Sequence, residues 1–170
     1  MTNKKPYNNI IFIGMPGSGK TTLGKLVAGK LDYRFVDTDH LICTQTGKTP
    51  RQLVAEQGRE FFLSAQDQVV LSINQWDSVI STGGGIVHSS VAMEHLKSLG
   101  TVIYLNTSYH IIEQRMDPDR KLVRAKGSLL DLYNERVTLY SKYADEVLEC
   151  DNKEPEVLCN KLLEIIMGNK

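Results

Sequence analysis

The apolar run Ile10-Ile11-Phe12-Ile13 passes directly into Gly14-Met15-Pro16-Gly17-Ser18-Gly19-Lys20-Thr21, and Leu23, Leu26, Val27 and Leu31 then recur at helical spacing. A buried strand, a glycine-rich turn and an amphipathic helix, in that order, commit the chain to an α/β architecture. They also match GxxxxGK[ST], in which glycines let successive backbone N–H groups turn inward around a polyphosphate at a helix N-terminus. On this reading Gly14, Pro16, Gly17, Ser18, Gly19, Lys20, Thr21 and Thr22 bind a nucleoside triphosphate. Lys20 would reach the β- and γ-phosphates, and the Thr21 hydroxyl would ligate Mg²⁺. A glycine turn without a ligand has no use for Lys-Thr at the helix start.

Short apolar runs alternate with helical patterns along the rest of the chain. Residues 10–13, 34–36, 78–81, 101–105 and 146–149 read as strands. The alternation predicts a parallel sheet covered on both faces, with ligands at the carboxyl ends of its strands. Residues 50–56 and 61–73 read as two helices with no strand between them, part of an expected acceptor-binding region over about 40–75. The polar stretch Asp117-Pro118-Asp119-Arg120-Lys121 reads as part of a lid over about 116–127. We expect one domain over residues 1–170, enough chain to bury about two-thirds of its unfolded surface.

Composition narrows the partners. Lys+Arg and Asp+Glu number 20 each, so no single-sign field advertises nucleic acid or an anionic membrane. A small-molecule substrate, a cytoplasmic location and a monomer are the expectations. No apolar run approaches the roughly 20 residues of a membrane span, and the polar residues 1–9 lack the apolar core of a signal peptide. Cys43, Cys150 and Cys159 have no CxxC spacing and read as unpaired thiols. His40, His88, His95 and His110 read as ordinary surface or boundary residues.

Asp37 and Asp39 close the second strand. If the extended segment continues through them, both carboxylates point the same way, one for the metal and one for the acceptor hydroxyl. The alternative is that one of them caps a helix starting near His40. Thr82-Gly83-Gly84-Gly85 follows the third strand, and each glycine costs up to about 1 kcal/mol unless the backbone needs it. It reads either as a cradle of N–H groups for substrate or as a tight turn. Arg115, Arg120 and Arg136 lie in or beside the expected lid, where guanidinium groups neutralise charge on a transferring phosphoryl group.

These markers, together with Arg120-Lys121-Leu122, Glu135-Arg136 and Leu139-Tyr140, resemble the shikimate kinase family over about 9–166. The resemblance implies a five-stranded parallel sheet of order 2-3-1-4-5 and MgATP-dependent phosphorylation of a shikimate hydroxyl. It assigns Lys20 and Thr21 to phosphates and metal, and Asp37 and Ser81 to the metal's water shell. Asp39 and the backbone around Gly84, within Gly83–Gly85, would hold the acceptor's hydroxyls. Arg120 would reach the phosphates from the lid, Arg115 and Pro155 would pack on adenine, and Arg136 would hold the acceptor's carboxylate. The family motif F-R-x-x-E falls on Phe62-Leu63-Ser64-Ala65-Gln66, so a second carboxylate-holding arginine is Leu63 and its acidic neighbour is Gln66. Lys121 and Thr138 stand where the family has proline. Losing one partner of such a pair can cost roughly 2–5 kcal/mol. Arg59, four residues earlier on the same helical face, is a candidate to supply the charge. Other readings are a kinase for a different hydroxylated metabolite and a nucleotide-binding regulatory module. A GTPase is disfavoured, because in Asn152-Lys153-Glu154 the acidic residue has the wrong spacing for NKxD.

Overall fold

A computed structural model describes residues 8–117 and 127–168. Strands β1 (Asn9–Ile13), β2 (Arg34–Asp37), β3 (Ser78–Ser81), β4 (Gly100–Asn106) and β5 (Glu146–Glu149) form one parallel sheet of order β2-β3-β1-β4-β5. Every neighbouring pair is parallel, so each connection must cross the sheet through a helix. The order anticipated from the family resemblance is the one present.

Because successive strand side chains alternate faces, β1 supplies two cores at once. Ile11 and Ile13 join Ile80, Val102 and Tyr104 beneath helices α5 (Ser90–Leu99) and α7 (Leu129–Tyr143). Ile10 and Phe12 join Val79, Ile103 and Leu105 beneath α1 (Lys20–Leu31) and α8 (Pro155–Gly168). In α1 it is Leu23 and Val27 that are fully covered, as the helical spacing requires.

Between β2 and β3 stand α2 (Thr38–Thr46), α3 (Pro50–Gln57) and α4 (Arg59–Leu71). They carry their own small core of Ile42, Leu53, Phe62 and Val69. The start of α3 follows from its sequence: Thr49 and Gln52 form a reciprocal capping box with Pro50 in the first turn. α4 begins two residues before the expected helix start, directly after Gly58. Short α6 (Tyr109–Arg115) follows β4. Cys43, Cys150 and Cys159 are free thiols, and among the described residues no helix is long and apolar enough to cross a membrane.

One expectation needs correction. The chain does not stay extended through Asp39: β2 ends at Asp37, and α2 begins at Thr38. Asp37 Oδ1 accepts hydrogen bonds from the N–H groups of Asp39 (3.0 Å) and His40 (3.2 Å). Capping therefore wins over strand alternation, since an N-cap carboxylate satisfies helix donors that have no other partner.

Candidate functional site

All the sequence motifs within the described residues gather at the carboxyl rim of the sheet. β1 delivers Gly14 at φ 150°, and Gly17 (84°) and Gly19 (91°) also adopt positive φ, conformations that strain other residues. Gly19 caps α1 without a side chain, which leaves the first-turn N–H groups to an outside acceptor. The Ser18 hydroxyl is buried and has no partner among the described residues. Lys20 folds back onto its own loop, donating to the carbonyls of Gly14 (2.7 Å) and Met15 (2.8 Å).

Thr21 Oγ1 donates to Asp37 Oδ2 at 3.3 Å. Asp37 thus caps α2 with one oxygen and meets the phosphate loop with the other. Ser81, at the end of β3, pairs in register with Asp37 on one side and Phe12 on the other. Asp37 thus stands between Thr21, which it meets by hydrogen bond, and Ser81, its register neighbour. Arg115, the last residue of α6, donates from Nη1 to the Gly17 carbonyl at 3.0 Å. Thr21, Thr22 and Pro155 line a shallow depression across the start of α1. Arg120, and with it Lys121 and Leu122 of the expected lid, lies outside the described residues.

Next to the phosphate loop lies a cavity of about 520 Å³ whose walls include Pro16, Asp39, Leu63, Gly83–Gly85 and Arg136. Gly83 N–H donates to Thr38 Oγ1 at 3.1 Å, and the Gly84 carbonyl accepts from the Tyr140 hydroxyl at 2.6 Å. A Cβ on Gly84 would lie 2.6 Å from Pro16 Cδ and 3.1 Å from Arg136 Nη1, and one on Gly85 would lie 3.1 Å from Arg136 Nη2. The triple glycine is thus needed for close approach: it lets the phosphate loop, α7 and the cavity floor touch.

Arg136 is only 2% exposed. Burial pushes its proton affinity below the ordinary guanidinium value, while neighbouring Tyr140 and Glu135 oppose the shift. Arg136 Nε donates to His88 Nε2 at 3.4 Å, and His88 Nδ1 lies 3.8 Å from Glu135 Oε1. Burial first, then the Arg136 charge, hold His88 below its ordinary pKa, so the neutral ring can accept from the guanidinium. His88 is thus a surface residue, as expected, that also forms part of the cavity wall. Its spacing carried no signal, because the partner stands on a helix 48 residues away. Arg51 and Arg59 also reach the cavity. With Arg136 they outnumber Asp39 among the charged side chains that line it, which suits an anionic occupant.

Residues 16–167 match the family model described as shikimate kinase. A shikimate kinase from Clostridium botulinum is 34% identical over 165 residues, spanning 95% of this chain and 99% of that protein. Among solved structures, the shikimate kinase from Acinetobacter baumannii in complex with shikimate superposes with a TM-score of 0.88 at 32% identity, covering 98% of this chain and 96% of that one. Shikimate kinase from Aquifex aeolicus gives a TM-score of 0.84 at 28% identity, covering 95% and 97%.

Proposed function

The chain belongs to the shikimate kinase family, and we propose that it transfers the γ-phosphoryl group of ATP to a hydroxyl of shikimate. The observation that carries the reading is one shared wall: Pro16 of the phosphate loop lines the same cavity as Asp39, the triple glycine and the buried Arg136. A phosphoryl donor and an acidic acceptor bound there would be neighbours, and positioning supplies most of the catalysis in phosphoryl transfer.

The phosphate loop fits a nucleotide. Its helix start has no side-chain cap, and its Ser18 hydroxyl is buried and unpartnered among the described residues. In our reading Lys20 would exchange the carbonyls of Gly14 and Met15 for β- and γ-phosphate oxygens, and Thr21 would hold the metal. Asp37 and Ser81 would hold the metal through water. Bound Mg²⁺ supplies neutralisation of the phosphate charge. Arg115 and Pro155 flank the adenine, and Arg120, which lies outside the described residues, is the candidate to neutralise phosphate charge. Asp39 accepts a hydrogen bond from the attacking hydroxyl and orients it. The backbone around Gly84 holds the acceptor ring, and Arg136 holds its carboxylate. A single domain would carry both halves, with the acceptor side built from about 40–75.

The test is ADP release from MgATP with and without shikimate, with mass spectrometry of the product. A shikimate-dependent rate and a phosphorylated product are expected. ATP binding without shikimate-dependent turnover would overturn the reading.

A further inference from the structure

Leu63 leaves the cavity with an apolar side chain where the family pattern has an arginine, yet the cavity is not short of donors. Among the described residues, two buried side-chain nitrogens lack a hydrogen-bond partner, Arg59 Nε and Gln66 Nε2. Both belong to residues that line this cavity. Native structures seldom leave buried donors unpaired, so each such group calls for an explanation. Two in one cavity call for a common one.

Arg59, Leu63 and Gln66 fall at helical spacing on α4 and so share one face. Arg59 is the first residue of that helix, and Gly58 caps it without a side chain, so the helix N-terminus adds positive potential beside the guanidinium. The ion contact of Arg59 with its neighbour is weak: Nη1 lies 3.7 Å from Oε1 of Glu60, whose side chain is 92% exposed. A solvated pair at that distance binds neither partner firmly. Gln66 is 1% exposed, and an amide there can donate to an anion, which a carboxylate could not do. Arg136 faces the same cavity from α7, and Arg59 is near enough to depress the proton affinity of both Arg136 and His88. Like charges gathered at one wall need a counter-charge.

We propose that Arg59 and Gln66 together form the second half of the acceptor's carboxylate site, beside the half supplied by Arg136, with the guanidinium relocated one helical turn from Leu63. The assignment rests on the reading of the acceptor as shikimate. It makes Leu63 one part of a coordinated rearrangement, in which the charge moves along α4 and a neutral donor accompanies it.

The experiment compares wild type with Arg59→Gln, Arg59→Lys and Gln66→Leu, using shikimate and its uncharged methyl ester, the ester as substrate or competitive inhibitor. For Arg59→Gln the KM for shikimate should rise at least about tenfold. Turnover at saturation should stay within about threefold, and the KM for ATP should not change. The ester's affinity should move by less than about threefold, because it has no carboxylate charge to lose. Arg59→Lys should fall between, since a point charge replaces a fork, and Gln66→Leu should raise the KM for the acid alone. If Arg59→Gln does not fold, the lysine variant carries the same acid-against-ester comparison. An unchanged KM for shikimate, or equal losses for acid and ester, would overturn the assignment while the kinase reading stands. Absence of shikimate-dependent turnover in the wild type would overturn that reading and this assignment with it.

Discussion

A methyl group added at Gly84 has nowhere to go, with Pro16 Cδ at 2.6 Å and Arg136 Nη1 at 3.1 Å from where it would sit. Gly84→Ala should therefore cost about 1–3 kcal/mol of stability and raise the acceptor KM more than the ATP KM, read by thermal denaturation and steady-state kinetics. His88 makes a different prediction. Its folded pKa lies below the ordinary 6.5, through burial and the Arg136 charge, with Arg59 adding to the shift and Glu135 opposing it. The unfolded chain thus takes up the proton first, so His88 costs the fold stability as pH falls through 6.5 toward the lower folded value. Between pH 8 and pH 5, wild type should lose more thermal stability than His88→Gln, and equal losses would refute this. At this scale Lys20, Thr21 and the glycines were legible because one loop holds their whole chemistry within eight consecutive residues. His88 and Arg59 were harder to read, since their meaning depends on Arg136, which the fold brings from a distant helix.

Helix α2 shows how two demands meet in one residue. Asp37 caps the helix through Oδ1 and meets Thr21 through Oδ2, so its two roles separate on substitution. Asp37→Asn keeps a competent cap and should leave the melting temperature almost unchanged, while raising the Mg²⁺ concentration needed for half-maximal rate. Asp37→Ala should lose about 1 kcal/mol as well. If the two variants were equally stable, the capping role would be refuted. The sequence offered strand continuation and helix capping as alternatives for Asp37-Thr38-Asp39, and local rules alone do not rank them. What decides is the cap itself, since Asp37 Oδ1 takes the N–H groups of Asp39 and His40 and the chain turns helical at Thr38. By contrast, the first turn of α3 was legible outright, because Thr49, Pro50 and Gln52 are a complete local instruction.

For the molecule as a whole, ligand and fold are linked by mass action. Shikimate at about 100 times its dissociation constant should add about 2.7 kcal/mol of stability, which for a chain of this size raises the melting temperature by roughly 5–11 °C. The Arg59→Gln variant should show a smaller rise at the same concentration, by differential scanning fluorimetry. Strand number, strand direction and the crowded rim could be argued from alternating patterns in the chain. The order of the strands could not, because burial on both faces makes β1, β3 and β4 look alike; a family resemblance supplied it. The two large cores lie on opposite faces of the sheet, one of them including Val70 of α4 and Tyr140 of α7, whereas α2, α3 and α4 also close over a small core of their own, Ile42, Leu53, Phe62 and Val69. Drift in that small cluster can retune the acceptor side without touching the β1–α1 unit that holds phosphates. Such a division lets descent rewrite what is phosphorylated while inheriting intact the means of phosphorylating it.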